Sequence, residues 1–150
     1  MKNQKGFTLI ELLIVISIIA ILAATIIPNF VGFDTEARVA ATKTNLDALR
    51  TRVTLFRAKE GQYPEKLEEL LEKRYDDMGV QKPYLLKMPP EMISEKTGNT
   101  SVQNLVGQEE PLLRNGGWVY RGDAAEIHVN IEKPLDKKWG GYEGQRPIEW

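Results

Sequence analysis

The residue that most requires a chemical role is Glu11, a carboxylic acid at the start of a long apolar run. Residues 12–27 are LLIVISIIAILAATII, in which only Ser17 and Thr25 are polar. A charged group at the centre of a membrane helix costs on the order of 2.5–3.5 kcal/mol, and less near an end of the helix. An acid in this position therefore predicts a functional group with a specific partner.

The apolar run, extended back to Phe7, is about 20 residues long, which is the length that crosses a bilayer core of about 30 Å. In lipid it must be helical, because every backbone group needs an internal partner. Ser17 and Thr25 can donate their hydroxyls to carbonyls one turn earlier. Lys2 and Lys5 precede the run, which predicts that this end stays in the cytoplasm and that the C-terminal part faces outward.

Two ordinary interpretations of this segment leave the acid without a role. The first is a secretory signal peptide, which the small residues near the end of the run would suit, namely Ala20, Ala23 and Ala24. The second is a plain single-span anchor. Neither interpretation explains Glu11.

A third interpretation comes from residues 5–11, KGFTLIE, which resemble the processing signature of type IV pilins and type II secretion pseudopilins. The resemblance implies that a prepilin peptidase cuts after Gly6 and N-methylates the new terminus at Phe7. It also implies that Glu11 pairs with the Phe7 amine of a neighbouring subunit. This chemistry is coherent, because cleavage creates an ammonium in the same apolar layer as the carboxylate and each charge offsets the desolvation of the other.

Pro28 and Gly32 predict a helix break directly after the apolar run. Proline removes a helical N–H and clashes with the preceding turn, and glycine weakens a helix by about 1 kcal/mol relative to alanine. One interpretation, supported by the family resemblance, is a bend that can unwind in a filament. The other is an ordinary helix end, with Asp34 as the N-cap of a new helix.

Residues 34–60 form an amphipathic pattern with one apolar stripe. The stripe has the spacing of a helix packed on a core along one face, and its members are Val39, Thr42, Leu46, Leu49, Val53 and Phe56. Residues 7–60 are then expected to form one long, bent helix of about 80 Å at 1.5 Å per residue. Gly61 is expected to end it.

The remaining sequence predicts a small head. Residues 61–64, GQYP, resemble a segment found after the long helix in many pseudopilins, and residues 65–73 predict a short helix. Residues 82–91 predict an extended piece and residues 93–110 a loop. Residues 118–120 and 127–130 predict a hairpin with a turn at 121–124, and GGWVY…EIHVN resembles the C-terminal hairpin of certain pseudopilins and related pilins.

The expected fold is α+β, in which a long bent N-terminal helix packs on a small antiparallel β-sheet head, with the tail at 132–150 lying across the sheet. The predicted division is a leader at 1–6, a transmembrane and filament-core helix at 7–31, and a globular head at 32–150.

Composition argues against most other chemistry. The chain has no cysteine, a single histidine (His128) and a net charge of −1, so disulfides, thiolate metal sites and a broad nucleic-acid surface are not expected. The acids Asp123, Glu126 and Asp136 are candidate calcium ligands. The acidic, glycine-rich calcium loop of major pseudopilins is not recognisable here. We therefore predict no metal, no cofactor and no enzymatic activity.

These observations predict a structural filament subunit, most simply a pseudopilin-like subunit of a type II secretion system. The alternatives are a type IV pilus subunit for adhesion, motility or DNA uptake and, more remotely, a membrane-tethered binding or enzymatic domain. Expected partners are further pilin-like subunits in a uniform or mixed filament, the prepilin peptidase, an inner-membrane assembly platform and lipid, but not nucleic acid. The expected location is a single pass through the inner membrane, followed by a periplasmic or cell-surface filament.

Overall fold

The described part of the chain comprises residues 7–95, 97–105 and 112–150 of a computed structural model, without the side chains of residues 27–32. It divides after Asp34 into two compact units. The first unit holds the apolar segment and the second holds the head. The architecture is α+β, as predicted, with a long N-terminal helix followed by short strands.

Helix α1 comprises Leu9–Glu60, which is 52 residues. It ends at Gly61, whose backbone adopts φ = 80° and whose N–H donates to the carbonyl of Arg57 at 2.9 Å. This is the positive-φ glycine end that the sequence predicts. The chain is helical through positions 28, 32 and 34. A new helix beginning at Asp34, which was one of the two interpretations, is therefore wrong, because Asp34 lies inside α1.

The predicted apolar stripe of α1 is confirmed as the helix face that enters the core. All six of its residues are buried, and none is more than 3% exposed: Val39, Thr42, Leu46, Leu49, Val53 and Phe56. The four residues from Leu46 to Phe56 pack against Trp118, Tyr120, Ile127 and other side chains of the head. Val39 packs in a second cluster with Ile93, Leu135 and Trp139. This packing supplies the tertiary contacts on which most helical stability depends.

The segment after α1 contains less helix and more strand than the sequence predicts. Helix α2 is only Glu69–Glu72, although residues 65–73 were expected to be helical. Strands β1 (Arg74–Asp77) and β2 (Val80–Pro83) then form an antiparallel hairpin. Met78 and Gly79 form its turn with φ of 55° and 84°, and such paired positive φ values match the twist of a two-residue hairpin.

A three-stranded sheet forms the rest of the core, with β4 between β3 and β5. The predicted hairpin is confirmed as β4 (Trp118–Arg121) paired antiparallel with β5 (Glu126–Val129). Strand β3 (Val102–Leu105) was assigned to a loop and is instead paired in parallel with β4. The sheet is therefore mixed rather than wholly antiparallel.

The start of the β3–β4 pairing requires glycine. A Cβ on Gly117 would lie 2.3 Å from the carbonyl oxygen of Ser101, and its φ is 75°. That close approach lets the N–H of Trp118 donate to the same oxygen at 2.8 Å. Only a residue without a side chain allows the two strands to begin at this distance.

The last twenty residues contact both α1 and β5. They contain two 3₁₀ segments, Lys137–Tyr142 and Pro147–Glu149, and bury Trp139. The N–H of Ile148 donates to the carbonyl of Ile131 at 3.0 Å. Arg50 of α1 donates to the carbonyl oxygen of Trp150 at 2.5 Å.

The polar interior of the head centres on Glu91, which is 0% exposed. Its carboxylate accepts hydrogen bonds from the N–H groups of Ile93, Ser94 and Gly117 and from the hydroxyl of Ser94. A buried charge must be compensated by hydrogen bonds or by an opposite charge. Here four hydrogen-bond donors compensate the carboxylate without a cation. The carboxylate thus joins the 91–94 turn to the start of β4.

Three side chains of α1 bind the main chain of the turn at 90–93, which overlaps the 91–94 turn. Arg38 donates to the carbonyl of Met92 at 2.6 Å, and Asn45 donates to the carbonyl of Pro90 at 2.8 Å. Thr42, which is 0% exposed, accepts from the N–H of Met92 at 3.0 Å. Each of these contacts is made to a main-chain atom of the turn.

Candidate functional site

The first part of α1, residues 9–26, is apolar and almost entirely exposed. Leu9–Ile26 is the one helix among the described residues that is long and apolar enough to cross a membrane, with a mean hydropathy of 2.8 and no buried residue. Large aliphatic side chains such as Leu9, Ile18 and Ile21 are 85%, 52% and 66% exposed. A continuous apolar surface of this size marks a membrane or protein contact.

The two hydroxyl residues of this segment are satisfied within the helix, as expected for a segment in lipid. Ser17 donates to the carbonyl of Leu13 at 2.7 Å, and Thr25 donates to that of Leu22 at 2.9 Å. Hydroxyls bonded back to the preceding turn present little unpaired polarity to an apolar medium.

Glu11 is the acidic member of a reciprocal helix cap. Its carboxylate accepts from the N–H of Thr8 at 2.8 Å and from the Thr8 hydroxyl at 2.7 Å. In return the N–H of Glu11 donates to the Thr8 hydroxyl oxygen at 3.3 Å. This is the capping box, in which a threonine and an acid three residues later satisfy the first donors of a helix.

The sequence analysis missed this contact, although the signal was present. Thr8 followed by Glu11 immediately before an apolar run is the pattern of a capping box. The pattern gives Glu11 a partner within its own chain, in addition to the Phe7 amine expected after cleavage. Phe7 is 78% exposed and precedes the helix. Gly6 lies outside the described residues, so pairing of Glu11 with a new terminus at Phe7 stays a prediction.

The three acids considered as calcium ligands have other partners. Asp123 accepts from the N–H of Ala124 at 2.9 Å, as a turn residue does. The Oε2 atom of Glu126 lies 3.6 Å from Nη1 of Arg121 in an ion pair. Asp136 accepts from the N–H of Lys138 and begins a 3₁₀ segment. No cluster of three or more potential metal ligands occurs within the described ranges.

His128 serves in packing at the edge of the sheet. Its Nδ1 lies 3.2 Å from the carbonyl oxygen of Trp150, and its Nε2 lies 4.0 Å from Glu126. The contact with Trp150 joins strand β5 to the C-terminal tail. His128 thus fixes the C-terminal tail against β5.

Comparison with known proteins places the N-terminal segment in a defined class. Residues 1–27 match the family described as the prokaryotic N-terminal methylation motif. The match contains Gly6, Phe7 and Glu11, and it continues through most of the exposed apolar helix. The motif and the apolar helix together indicate an N-terminal membrane-anchoring segment.

Particular relatives of this chain are pilins and a secretion pseudopilin. It is 46% identical over 68 residues to the type IV major pilin protein PilA of Myxococcus xanthus, which covers 45% of this chain and 31% of that one. It is 77% identical over 32 residues to the type IV wide pilus major component PilA4 of Thermus thermophilus, and this match covers 21% of this chain and 24% of that one. It is 32% identical over 75 residues to the type II secretion system core protein G of Pseudomonas aeruginosa, covering 48% and 53%.

The matches cover about a quarter to a half of the length of these relatives. The names of these relatives describe pilus proteins and a secretion-system protein. No solved structure matches the chain.

Proposed function

We propose that this protein is a subunit of a type IV-like filament, anchored in the inner membrane before assembly. The observation that carries the proposal is the exposed apolar helix Leu9–Ile26, which begins with Glu11 inside a methylation motif. Such a surface needs lipid when the subunit is alone and neighbouring helices when it is assembled. A helical bundle of these segments supplies the second environment.

In this proposal residues 1–6 are a leader that prepilin peptidase removes, residues 7–31 form the membrane and filament-core helix, and residues 32–150 form the head. Lys2 and Lys5 keep the N-terminus in the cytoplasm, and the head faces outward. An inner-membrane assembly platform then transfers subunits from lipid into a filament made of this chain or of several pilin-like chains.

Glu11 acts as the assembly determinant in this proposal. Before assembly its carboxylate is held by Thr8 in the capping box. After cleavage the Phe7 amine, from the same chain or from a neighbour, supplies a cation at the same level. Exchange between these partners keeps the carboxylate hydrogen-bonded or paired at each stage, and pairing with a neighbour fixes the axial register.

Pro28 and Gly32 have a proposed role in the filament as well. The isolated chain is helical at both positions. A proline lacks the N–H that would close its turn, and a glycine weakens the next one. We propose that this segment unwinds when the apolar helices pack together in the filament.

The test is filament yield measured beside the amount of processed subunit in the membrane. Glu11→Val should be inserted and cleaved as the parent is but build few or no filaments, and Glu11→Gln should be intermediate, because it keeps an acceptor for Thr8 without the charge. Gly6→Leu should keep the leader and prevent assembly. Intact-mass analysis should show a mature protein that begins with methylated Phe7. A mature N-terminus near Ala24, or normal filaments from Glu11→Val, would contradict the proposal.

Within this class we propose a secretion pseudopilin, with a type IV pilus subunit as the second candidate. The match to core protein G extends over 75 residues and about half of each chain, whereas the PilA match covers 31% of its relative. Higher identity to the pilins favours the second candidate. Deletion of the gene should leave exported enzymes in the periplasm if the first proposal is right. Loss of surface filaments and motility with normal export would favour the pilus.

A further inference from the structure

A shallow groove of about 400 Å³ on the head is lined by Arg52 of α1, by the β1–β2 hairpin and by the residues that follow β2. Its aromatic members are Tyr75 and Tyr84, whose ring centroids are 4.8 Å apart. Leu86 forms part of its wall and is 89% exposed. An apolar side chain this exposed beside aromatic rings marks a surface that another protein segment can cover.

Two uncompensated positive charges border this groove. Arg52 of α1 and Lys87 both line it, and both are exposed. A third cation, Lys82, is bonded to Asp77 at 2.5 Å and is therefore neutralised locally. Neither Arg52 nor Lys87 forms an ion pair within the part of the chain that the structure describes. The groove therefore fits an occupant that combines an apolar side chain with acids.

The head carries such an occupant in residues 65–72, EKLEELLE, which hold four glutamates and one lysine. Leu70 is buried in the core of its own subunit, whereas Leu71 is 36% exposed. Glu72 is exposed beside Leu71 and has no cationic partner among the described residues. Glu69, in contrast, is bound to Lys73 at 2.7 Å, so its charge is already used.

We infer that the groove bordered by Arg52 and Lys87 on one subunit receives the Leu71–Glu72 edge of α2 from a second copy of this chain. The inference rests on the proposed filament function. A filament requires a heterologous contact, in which two different patches of one subunit meet on neighbouring copies. The groove and the acidic edge are two such patches, opposite in charge and both partly apolar.

The contact sets register more than overall affinity. Charged groups at the rim of an interface mainly guide encounter and exclude wrong partners. Leu71 packs against the apolar wall, while Glu72 faces the two cations; Glu68 does not take part, because its carboxylate accepts from the side-chain amide of Asn104 at 2.7 Å. The same pairing repeats at every subunit contact, so one charge-reversing substitution changes every contact along the filament.

Charge reversal in the full chain, in its producing cell, tests the inference. Arg52→Glu and Glu72→Arg should each lower filament yield by about tenfold, because attraction becomes repulsion at every repeat. The double variant, with both charges exchanged, should recover the yield of the parent. Lys133→Glu, which reverses an exposed lysine that borders other grooves, is the matched control and should assemble normally. Normal assembly of both single variants, or no recovery in the double variant, would overturn the inference.

The absence of native cysteine allows an independent measurement. A chain with both Arg52→Cys and Glu72→Cys should form a ladder of disulfide-linked multimers when isolated filaments are oxidised. Each single variant should stay monomeric. A product that stops at dimers would indicate an isologous contact and refute the heterologous one. If Arg52→Glu assembles normally but loses binding to DNA or to vesicles of anionic lipid, the groove binds a polyanion instead.

These outcomes separate this inference from the proposed function. If the parent chain forms no filaments, the proposed function fails. If the parent forms filaments and Glu11→Val does not, while the reversals at Arg52 and Glu72 have no effect, the proposed function stands and only the docking inference fails.

Discussion

Replacement of Glu91 by glutamine tests whether the buried carboxylate stabilises the head. The new side chain keeps one acceptor oxygen, which can still receive the N–H groups of Ile93 and Ser94. Its NH₂ group takes the place of the other oxygen, which in the parent accepts from the N–H of Gly117 at 3.1 Å. Two donors then face each other in a site with 0% exposure.

The expected cost follows from the bonds that are lost. A hydrogen bond to a charged group contributes about 1.5–3 kcal/mol, and a buried donor left without a partner costs a further 1–3 kcal/mol, roughly, so we expect a loss of about 2–4 kcal/mol. The Ser94 hydroxyl can rotate to accept from the new amide, which limits the loss. Removal of the buried charge also recovers some desolvation energy.

The measurement is urea unfolding of a soluble fragment, residues 32–150, monitored by circular dichroism. With a denaturant slope of about 2 kcal/mol/M, in the middle of the usual range, the midpoint should fall by about 1–2 M. Glu95→Gln changes an exposed acid in the same loop and is the matched control, with an expected midpoint near that of the parent. An unchanged or higher midpoint for Glu91→Gln would show that the cost of burying the charge exceeds the value of its four hydrogen bonds.

Two further predictions concern the same fragment. Leu49→Asp places an unpaired charge at a position with 0% exposure and should unfold the head, since the cost of several kcal/mol is comparable with a total stability of about 5–15 kcal/mol. The control Ala48→Asp changes an exposed residue on the neighbouring face and should melt close to the parent. Equal melting temperatures of the two variants would contradict the assigned helix face. Burial alone would raise the pKa of Glu69, but hydrogen bonds from Lys73 and from two backbone N–H groups outweigh it and lower the pKa below its usual 4.5. Stability from this group is therefore present above pH 4.5 and lost as the pH falls through the lower folded-state pKa. Unfolding curves between neutral and acidic pH should show a smaller acid-induced loss in Glu69→Gln, and an identical loss would refute this assignment.

The parts of the fold that follow from local pattern were predictable from the sequence. The stripe from Val39 to Phe56 specifies a helix face, because apolar residues at helical spacing have one way to be buried together. The hairpin of β4 and β5 was likewise predictable, because two runs of β-forming residues flank a short polar turn.

The parts that depend on distant contacts were not predictable in this way. Strand β3 is short and polar, and it becomes a strand because Gly117 allows β4 to begin close to Ser101. The role of Glu91 depends on donors from both the 91–94 turn and β4, which no local pattern brings together. The residues 65–68 contain good helix formers, yet they are not helical. There the N–H of Leu67 instead donates to the side chain of Asn104 at 2.9 Å.

For the candidate site, the roles that the sequence assigns to Gly6, Phe7 and Glu11 stay predictions, and the structure adds the arrangement of Glu11 in the free chain. The acid in the apolar run identified Glu11 and a requirement for a partner. The capping box with Thr8 is a local pattern that was available in the sequence and was not used. The proposed pairing of Glu11 with the Phe7 amine of a neighbouring subunit involves a second chain and stays a prediction.

The way α1 holds the turn at 90–93 has a consequence for how this protein can diverge. Arg38, Thr42 and Asn45 bind only main-chain atoms of that turn. A main-chain contact does not depend on the identity of the residue that provides it. A half-buried residue of the turn such as Met92 can therefore change over evolutionary time without detaching the turn, whereas the three helix residues cannot. Related chains should therefore vary at position 92 and retain Arg38, Thr42 and Asn45.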